Sequence, residues 1–241
     1  MRVVYPREMA SLDRAAIEGG IPSLNLMEKA GLSVAEQARD MLGLCAGKKV
    51  AVVAAKGNNG GDGFVAARYL KSWGAEVKVY LLDRAEDLTP DAQTNRRRFM
   101  EEGGEVLEEG AFHLGEALRG TDLVVDAVFG VGFRGEAEGK FGAAIEAINS
   151  SGVPVLSVDV PSGVQADSGK VEGPAVQASR TVTFAWPKTG LYLFPGAEKT
   201  GELVVADIGI PPHLLEELVE SDIHTIEERE VMELMPRRPP H

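Results

Sequence analysis

Apolar positions along the chain form short continuous runs that alternate with segments of helical spacing. The runs that predict strands lie at 49–55, 76–82, 105–107, 122–128, 153–158, 180–185 and 203–208. The segments that predict helices lie at 6–18, 23–43, 60–73, 90–102, 112–118, 140–150 and 213–219. Strands that alternate with helices favour a mostly parallel sheet covered on both faces, and right-handed crossovers make a doubly wound α/β fold the expected arrangement.

The N-terminal helices, the segment 160–202 and the C-terminal end do not follow a simple strand–helix alternation. The helices at 6–18 and 23–43 precede the first strand, and the sequence leaves open whether they cover a sheet face or provide a surface for dimerisation. The segment 160–202 is rich in Gly and Pro and long for a connection, which indicates a functional role. Thr225–Glu228 has a capping-box pattern that predicts a last helix to about Leu234, followed by a linker-like Pro-rich end.

The stretch Gly57–Gly63 joins the first buried strand to a helix and contains four glycines. A glycine loop in this place presents backbone N–H groups to a phosphate and allows close approach or a positive φ. It has no lysine, so it is not a P-loop. We expect Asn58, Asn59 and Asp62 to contact a sugar, an amide or a cation; the alternative for Asp62 is a helix cap.

Two further strand ends carry polar residues. Asp126 is followed by Gly130–Glu136, which contains a Gly-x-Gly-x-x-Gly pattern. The pattern alone would indicate an NAD-dependent dehydrogenase, but no helix pattern follows it at once. Arg134 in this segment is suited to bidentate pairing with a phosphate, or else is a solvated loop arginine. The third strand end is Asp159–Gly163.

Asp159 is the strongest candidate for proton transfer, because desolvation at the end of a buried strand is expected to raise the pKa of its carboxyl. The alternative for Asp159, as for Asp62 and Asp126, is a cap or turn residue. The three acids are expected to converge at neighbouring strand ends. Lys188 follows a later strand in an apolar setting, and it either stabilises an anion, acts as an acid, or is a surface lysine with a buried stem.

Composition narrows the classes of function. The net charge of -12 over 241 residues argues against non-specific nucleic-acid binding. The single cysteine, Cys45, excludes an internal disulfide framework and fits a reducing cytoplasm. No apolar run has membrane-spanning length, and no pair among the four histidines has the spacing of zinc ligands.

Three segments in this order, Asn58–Gly63, Asp126–Gly135 and Val158–Gly163, closely resemble the NAD(P)H-hydrate epimerase family, the N-terminal domain of the YjeF proteins. The resemblance covers about residues 1–220 and leaves 221–241 as a C-terminal helix and Pro-rich linker. It implies a Rossmann-like three-layer α/β/α sandwich that is usually dimeric. The implied activity interconverts the R and S forms of hydrated NADH and NADPH.

The resemblance also implies roles for individual residues. It implies a potassium site at Asn59, Asp126 and Ser162, and catalytic roles for Asp159 and Lys188. It implies that the hydrated nucleotide contacts Asn58, Asn59, Gly60, Gly61, Asp62, Gly130, Val131, Gly132, Phe133, Arg134, Gly135, Glu136 and Asp159. Our mechanistic hypothesis is that Asp159 serves as acid and base at C6 of the hydrated ring, through either an iminium or a ring-opened aldehyde.

Two alternatives bear on the whole protein. In bifunctional relatives a similar Pro-rich linker leads to an ADP- or ATP-dependent dehydratase domain, and 235–240 resembles such a linker. Related domains in mRNA-decapping enhancers are non-catalytic dimerisation scaffolds. The scaffold alternative predicts that polar site residues are lost, whereas Asp62, Asp126 and Asp159 are all present.

Overall fold

The computed structural model describes residues 1–108 and 113–226. Its centre is a sheet of seven strands in the order β4-β3-β2-β5-β6-β7-β8, and every neighbouring pair is parallel. The strands are β1 (Arg2–Val3), β2 (Lys49–Ala54), β3 (Glu76–Leu81), β4 (Glu105–Glu108), β5 (Leu123–Ala127), β6 (Val155–Val158), β7 (Arg180–Phe184), β8 (Glu202–Ala206) and β9 (Ile223–His224). The predicted parallel α/β sheet is therefore confirmed.

Helices cover both faces of this sheet. They are α1 (Pro6–Glu18), α2 (Ser23–Leu42), α3 (Asn58–Ser72), α4 (Pro90–Glu101), α5 (Leu114–Ala117), α6 (Gly139–Ser150), α7 (Gly196–Thr200) and α8 (His213–Leu218). One apolar cluster joins Leu12 of α1, Val34 of α2 and Phe64 of α3 to alternate residues of the central strands. A second cluster packs Ile145 and Ile148 of α6 on the opposite face. The two N-terminal helices therefore cover a sheet face, and the fold has three layers.

The strand order reverses between β2 and β5. From β2 the chain moves outward through β3 to β4, and it then crosses to β5 and continues outward to β8. In doubly wound sheets, ligands bind at the carboxyl ends of the strands where this reversal occurs. The first two predicted strand ends, before α3 and after β5, meet at this point.

A second, small sheet ties the N-terminus to the rest of the fold. The strands β1 and β9 pair antiparallel. The next residue, Val4, donates its N–H to the carbonyl of Pro187 at 2.9 Å and accepts from the N–H of Thr189 at 3.2 Å. These two bonds flank Lys188, so the start of α1 is held directly beside that lysine.

The main difference from the predicted elements is the start of α3. The helix begins at Asn58, so most of the predicted glycine loop forms its first turns. The segment 160–202 contains β7, α7 and a short 3₁₀ turn at Thr189–Leu191. The last helix is predicted from Thr225 to about Leu234; its residues from 227 on, and the linker after it, lie outside the described residues. Within 1–108 and 113–226, no helix is long and apolar enough to cross a membrane.

Candidate active site

The glycines at the start of α3 are required for close packing. A Cβ atom at Gly60 would lie 2.0 Å from the carbonyl oxygen of Ala55, and one at Gly63 would lie 2.6 Å from the Cβ of Ala127. Gly60, Gly61 and Gly63 are helical and none of the three has a positive φ. Of the two roles expected for these glycines, the positive φ is therefore wrong, and the close approach of a ligand stays a prediction. The missing side chains instead let the helix approach the ends of β2 and β5.

Asp62 lies inside α3, beyond its first turn, so the interpretation as a helix cap is wrong. Its residue surface is only 9% exposed. Burial, followed by the charges of Asp159 and Asp13, raises the pKa of this carboxyl well above its usual range, and Lys188 partly opposes the rise. Asp62 is therefore a buried carboxyl that favours the protonated form.

Lys188 and Asp159 form a buried ion pair at the ends of β7 and β6. Lys188 is 1% exposed, and its Nζ donates to Asp159 Oδ1 at 2.7 Å, Thr183 Oγ1 at 3.0 Å and the carbonyl of Phe184 at 3.0 Å. All three ammonium protons are thus used inside the protein. The interpretation of Lys188 as a surface lysine is wrong.

The backbone and neighbours of Asp159 hold its carboxylate in one place. Its φ is 64°, a left-handed conformation that non-glycine residues rarely adopt. Thr183 Oγ1 donates to Oδ1 at 3.1 Å, and the N–H of Val131 donates to Oδ2 at 3.1 Å. Because such backbone conformations persist where surrounding structure enforces them, they often mark functional sites. Asp159 is a positioned carboxylate that is linked directly to the 130–136 loop.

The loop after β5 has no helix directly behind its glycines, because α6 begins only at Gly139. The dehydrogenase interpretation of the Gly-x-Gly-x-x-Gly pattern is therefore wrong. Arg134 is half-exposed; it donates to the carbonyl of Phe133 at 2.7 Å and lies 3.5 Å from Asp167. Its guanidinium remains accessible to an anion at the surface of the loop.

Asp126, Ser162 and Asn59 converge below the same loop. Asp126 is fully buried and accepts from Ser162 Oγ at 2.5 Å, Ser162 N–H at 2.9 Å and Ser157 Oγ at 2.8 Å. A Cβ atom at Gly130 would lie 2.9 Å from Asn59 Oδ1, and the N–H of Phe129 donates to Ser162 Oγ at 2.8 Å.

The hydrogen-bond partners of Asp126 are all neutral, and its burial raises the pKa of the carboxyl. A buried carboxyl without a cationic partner among the described residues, beside the hydroxyl oxygens of Ser157 and Ser162, fits a hard cation with oxygen ligands. The side-chain nitrogen of Asn59 is also buried without a hydrogen-bond partner in the described part of the chain. These observations make the residue set compatible with potassium.

Asp13 is the site residue that the sequence analysis missed. It lies on α1 beside the buried residues Leu12 and Ala16, and it is itself half-buried. Burial raises the pKa of its carboxyl to about 6, with Lys188 lowering it and Asp159 raising it. The charges that act on Asp13 therefore belong to the Asp159–Lys188 pair, which brings this helix into the site.

The predicted site residues thus gather at the carboxyl end of the sheet. Asn58–Asp62 lie at the end of β2, and Gly130–Glu136 lie after β5. Asp159 and Lys188 follow β6 and β7. At the outer edge of the site, Thr89 Oγ1 donates to Asn58 Oδ1 at 2.9 Å. The arrangement combines a helix N-terminus, an accessible arginine and a cluster of carboxyls with one buried lysine.

Comparisons with known proteins agree with this arrangement. The sequence model of the family described as YjeF-related protein N-terminus matches residues 23–190. The chain is 50% identical over 221 residues to the bifunctional NAD(P)H-hydrate repair enzyme Nnr of Moorella thermoacetica, covering 89% of this chain and 42% of that protein. It is 42% identical over 192 residues to the NAD(P)H-hydrate epimerase of Levilactobacillus brevis, covering 79% of this chain and 86% of that protein.

The fold also has a solved counterpart. The crystal structure of yeast ynu0 superposes with a TM-score of 0.81 at 27% identity, covering 95% of this chain and 98% of that one. The chain spans less than half the length of the bifunctional relative, 42%, and most of the length of the Levilactobacillus brevis epimerase, 86%.

Proposed function

Because the chain belongs to the YjeF-related N-terminal family, we propose that it is an epimerase that interconverts the R and S forms of hydrated NADH and NADPH. The observation that carries the proposal is the buried Asp159–Lys188 pair beside the buried Asp62. These groups stand at the carboxyl ends of the strands next to the switch point, where a doubly wound fold binds its ligand. Their chemistry is that of proton transfer.

The reaction requires that a bond to C6 is broken and remade: the bond to the hydroxyl oxygen in the iminium route, or the bond to the ring nitrogen in the ring-opened route. C6 is attached to the ring nitrogen, so the nitrogen lone pair can form an iminium as the protonated hydroxyl leaves as water. A water that returns to the other face needs a base. Asp159, held in place by the hydrogen bond from Lys188 Nζ at 2.7 Å, is the group to which we assign that proton. The ring-opened route would use the same groups.

The nucleotide part of the substrate is held by local donors, because the overall charge of -12 repels an anion. The free backbone N–H groups at the start of α3 and the Gly130–Glu136 loop are suited to the diphosphate. Arg134 is half-exposed at this loop and supplies a cation that can pair with it. Val131 links this loop to the proposed catalytic residue, because its N–H donates a hydrogen bond to Asp159.

We also propose a potassium ion at Asn59, Asp126 and Ser162. Support comes from the buried carboxylate of Asp126, whose hydrogen-bond donors are neutral. When bound, the ion supplies positive charge next to the loop that carries Val131. The residues themselves position the loop, since Ser162 and Asn59 both contact the segment 129–130.

Three further properties remain predictions. A homodimer is implied by the family resemblance, and light scattering after size-exclusion chromatography tests it. A cytoplasmic location is predicted from the single cysteine, which is buried and free. The family resemblance implies that a dehydratase domain follows in bifunctional members, and the activity of such a domain is not proposed for these residues.

The alternative function is a non-catalytic nucleotide-binding or dimerisation scaffold of the same fold. A scaffold has no need for a buried ion pair with a strained carboxylate at the ligand-binding edge. The retention of Asp62, Asp159 and Lys188 in one cluster therefore favours the enzyme.

The substitution Asp159→Asn tests the catalytic role. It keeps the shape of the side chain but removes the base, so we expect epimerisation to fall by about 10²-fold or more, the usual scale for a lost general base. Binding of the hydrate, followed by calorimetry, should remain measurable. The matched control is Asp222→Asn, whose side chain is 82% exposed, and it should leave the rate unchanged. Full activity of the Asp159 variant would contradict the assignment.

A further inference from the structure

A buried acid at the end of β3 is joined directly to the start of α3. Asp83 follows β3 after Leu82 and is 7% exposed. Its Oδ2 accepts the N–H of Lys56 at 2.9 Å, and Lys56 is followed by Gly57, the residue before α3. In doubly wound folds that bind dinucleotides, an acid about 20 residues after the glycine-rich turn binds the ribose of the adenosine half, and Asp83 stands at about this distance from Gly63.

Lys140, in the first turn of α6, forms an ion pair with this acid. Its Nζ lies 3.1 Å from Asp83 Oδ1, and its side chain is 36% exposed. The same ammonium lies 5.2 Å from the ring centroid of Phe141. Phe141 packs against Phe129 at 5.0 Å, and Phe129 stacks on Phe133 of the loop after β5 at 4.7 Å. The Asp83–Lys140 pair is therefore connected to both segments that are proposed to hold the diphosphate.

The strand order places this pair at the far end of the site from the reacting ring. The proposed catalytic residues follow β6 and β7, the proposed diphosphate groups follow β2 and β5, and β3 is the next strand in line. Neighbouring strands lie about 4.8 Å apart, so the ends of β6 and β3 are separated by roughly 14 Å, which an extended dinucleotide can cover. A substrate with its hydrated ring at β6 and its diphosphate between β2 and β5 therefore brings its adenosine half to β3.

We propose that Asp83 and Lys140 form the subsite for the adenosine ribose. The Asp83 carboxylate accepts a hydrogen bond from the ribose hydroxyl of hydrated NADH, and the Lys140 ammonium pairs with the 2′-phosphate of hydrated NADPH. The inference rests on the proposed epimerase function. It extends that function from the reacting ring to the one part of the substrate in which the two hydrates differ.

The chemistry of the pair suits both ligands. Each carboxylate oxygen of Asp83 accepts one described donor and has a second lone pair for a hydroxyl. A phosphate beside a lone carboxylate would be repelled, but here the Lys140 ammonium lies against that carboxylate. Arg84 follows Asp83 directly, but its side chain is 75% exposed and lies 3.4 Å from the equally exposed Glu86. Lys140 is therefore the cation that the fold positions.

The test is the ratio of kcat/KM for hydrated NADPH to kcat/KM for hydrated NADH. In Lys140→Gln we expect this ratio to fall about tenfold or more, the scale of a lost hydrogen bond to a charged group. In Asp83→Asn we expect it to rise, because the ribose hydroxyl loses a charged acceptor while the phosphate loses a repelling neighbour. The control Lys78→Gln removes a lysine of β3 that pairs with Glu105 at 3.1 Å, and it should leave the ratio in place. A general loss of stability affects both substrates equally and does not move the ratio.

An unchanged ratio in either variant, while the wild-type protein is active, contradicts the role of that residue and leaves the epimerase function standing. A ratio that falls in Arg84→Gln but not in Lys140→Gln overturns the choice of cation.

If the wild-type protein does not accelerate epimerisation, the proposed function fails, and calorimetry with adenosine 2′,5′-bisphosphate and with AMP decides about the subsite. Tighter binding of the bisphosphate that is lost in Lys140→Gln and kept in Lys78→Gln supports it. Equal binding of the two nucleotides, or binding of neither, contradicts it.

Discussion

At the scale of single residues, Lys188 determines what its neighbours can do. A fully buried ammonium with three acceptors is stable only while Asp159 is its partner. The three protons of this ammonium go to Asp159, Thr183 and Phe184, so none is left for Asp62 or Asp13. The cluster thus contains one carboxyl that is paired with the lysine, Asp159, and two carboxyls whose pKa is raised by burial, Asp62 and Asp13.

The substitution Lys188→Met tests this role through stability. Methionine fills a similar volume but leaves the buried Asp159 without its counter-charge, so we expect the free energy of unfolding to fall by about 3–5 kcal/mol. Urea denaturation measures the loss. The control is Lys49→Met. Lys49 is exposed and lies at the amino end of β2, away from the site, so this change should alter the free energy of unfolding by less than about 0.5 kcal/mol. Equal stability of the two variants would show that the buried pair contributes little.

Individual site residues can be predicted from the sequence where a polar residue directly follows a predicted strand. Asp159 and Lys188 are predictable, because each polar residue follows an apolar run and therefore stands at a strand end. Asp13 is not predictable in this way. An acid on an amphipathic helix is ordinary, and it joins the site only because Val4 pairs beside Lys188, a contact between distant parts of the chain.

At the scale of elements, α3 shows how packing overrides local preference. Glycine disfavours a helix by about 1 kcal/mol relative to alanine, yet three glycines lie in its first two turns. They permit the helix to lie against Ala55 and Ala127 at distances that a Cβ atom would not allow. The helix start at Asn58 is thus determined by tertiary contact, which explains why the periodic pattern predicted a later beginning at 60.

The pair of variants Gly60→Ala and Gly57→Ala tests this explanation. A Cβ atom at Gly60 would lie 2.0 Å from the carbonyl oxygen of Ala55, whereas one at Gly57 has no atom within 4 Å. We expect Gly60→Ala to lose more than about 3 kcal/mol, since the backbone has to move, and Gly57→Ala to lose about 1 kcal/mol or less. Thermal unfolding distinguishes them. A stable Gly60→Ala protein would mean that close approach is not the reason for this glycine.

At the scale of the whole molecule, the fold brings together charged residues that lie far apart in the sequence, at the ends of four strands. The strand order places the ends of β2, β5, β6 and β7 side by side. The alternation of apolar runs and helical segments predicts the parallel sheet, and with it the common side on which these strands end. They do not predict the contact of α1 with the site or the neutral surroundings of Asp126, because both depend on how distant segments pack.

The potassium site is testable without activity. A cation that binds only the folded protein stabilises it by RT ln(1 + [L]/Kd), about 1.4 kcal/mol at ten times Kd. We therefore expect a higher melting temperature in potassium chloride than in choline chloride of equal ionic strength. The increment should disappear in Asp126→Asn and persist in Asp122→Asn, which changes an acid at the opposite end of the same strand region. Equal increments in both variants would contradict the site.

The most direct test of the central claim is epimerisation of the purified R hydrate of NADPH. Chromatography that separates the two epimers follows the appearance of the S form with and without the protein. The epimerase account predicts that catalytic amounts of the wild-type chain bring the mixture to its equilibrium ratio far faster than the spontaneous reaction. An unchanged rate, with protein that is folded by circular dichroism and supplied with potassium, would contradict it and favour the non-catalytic scaffold.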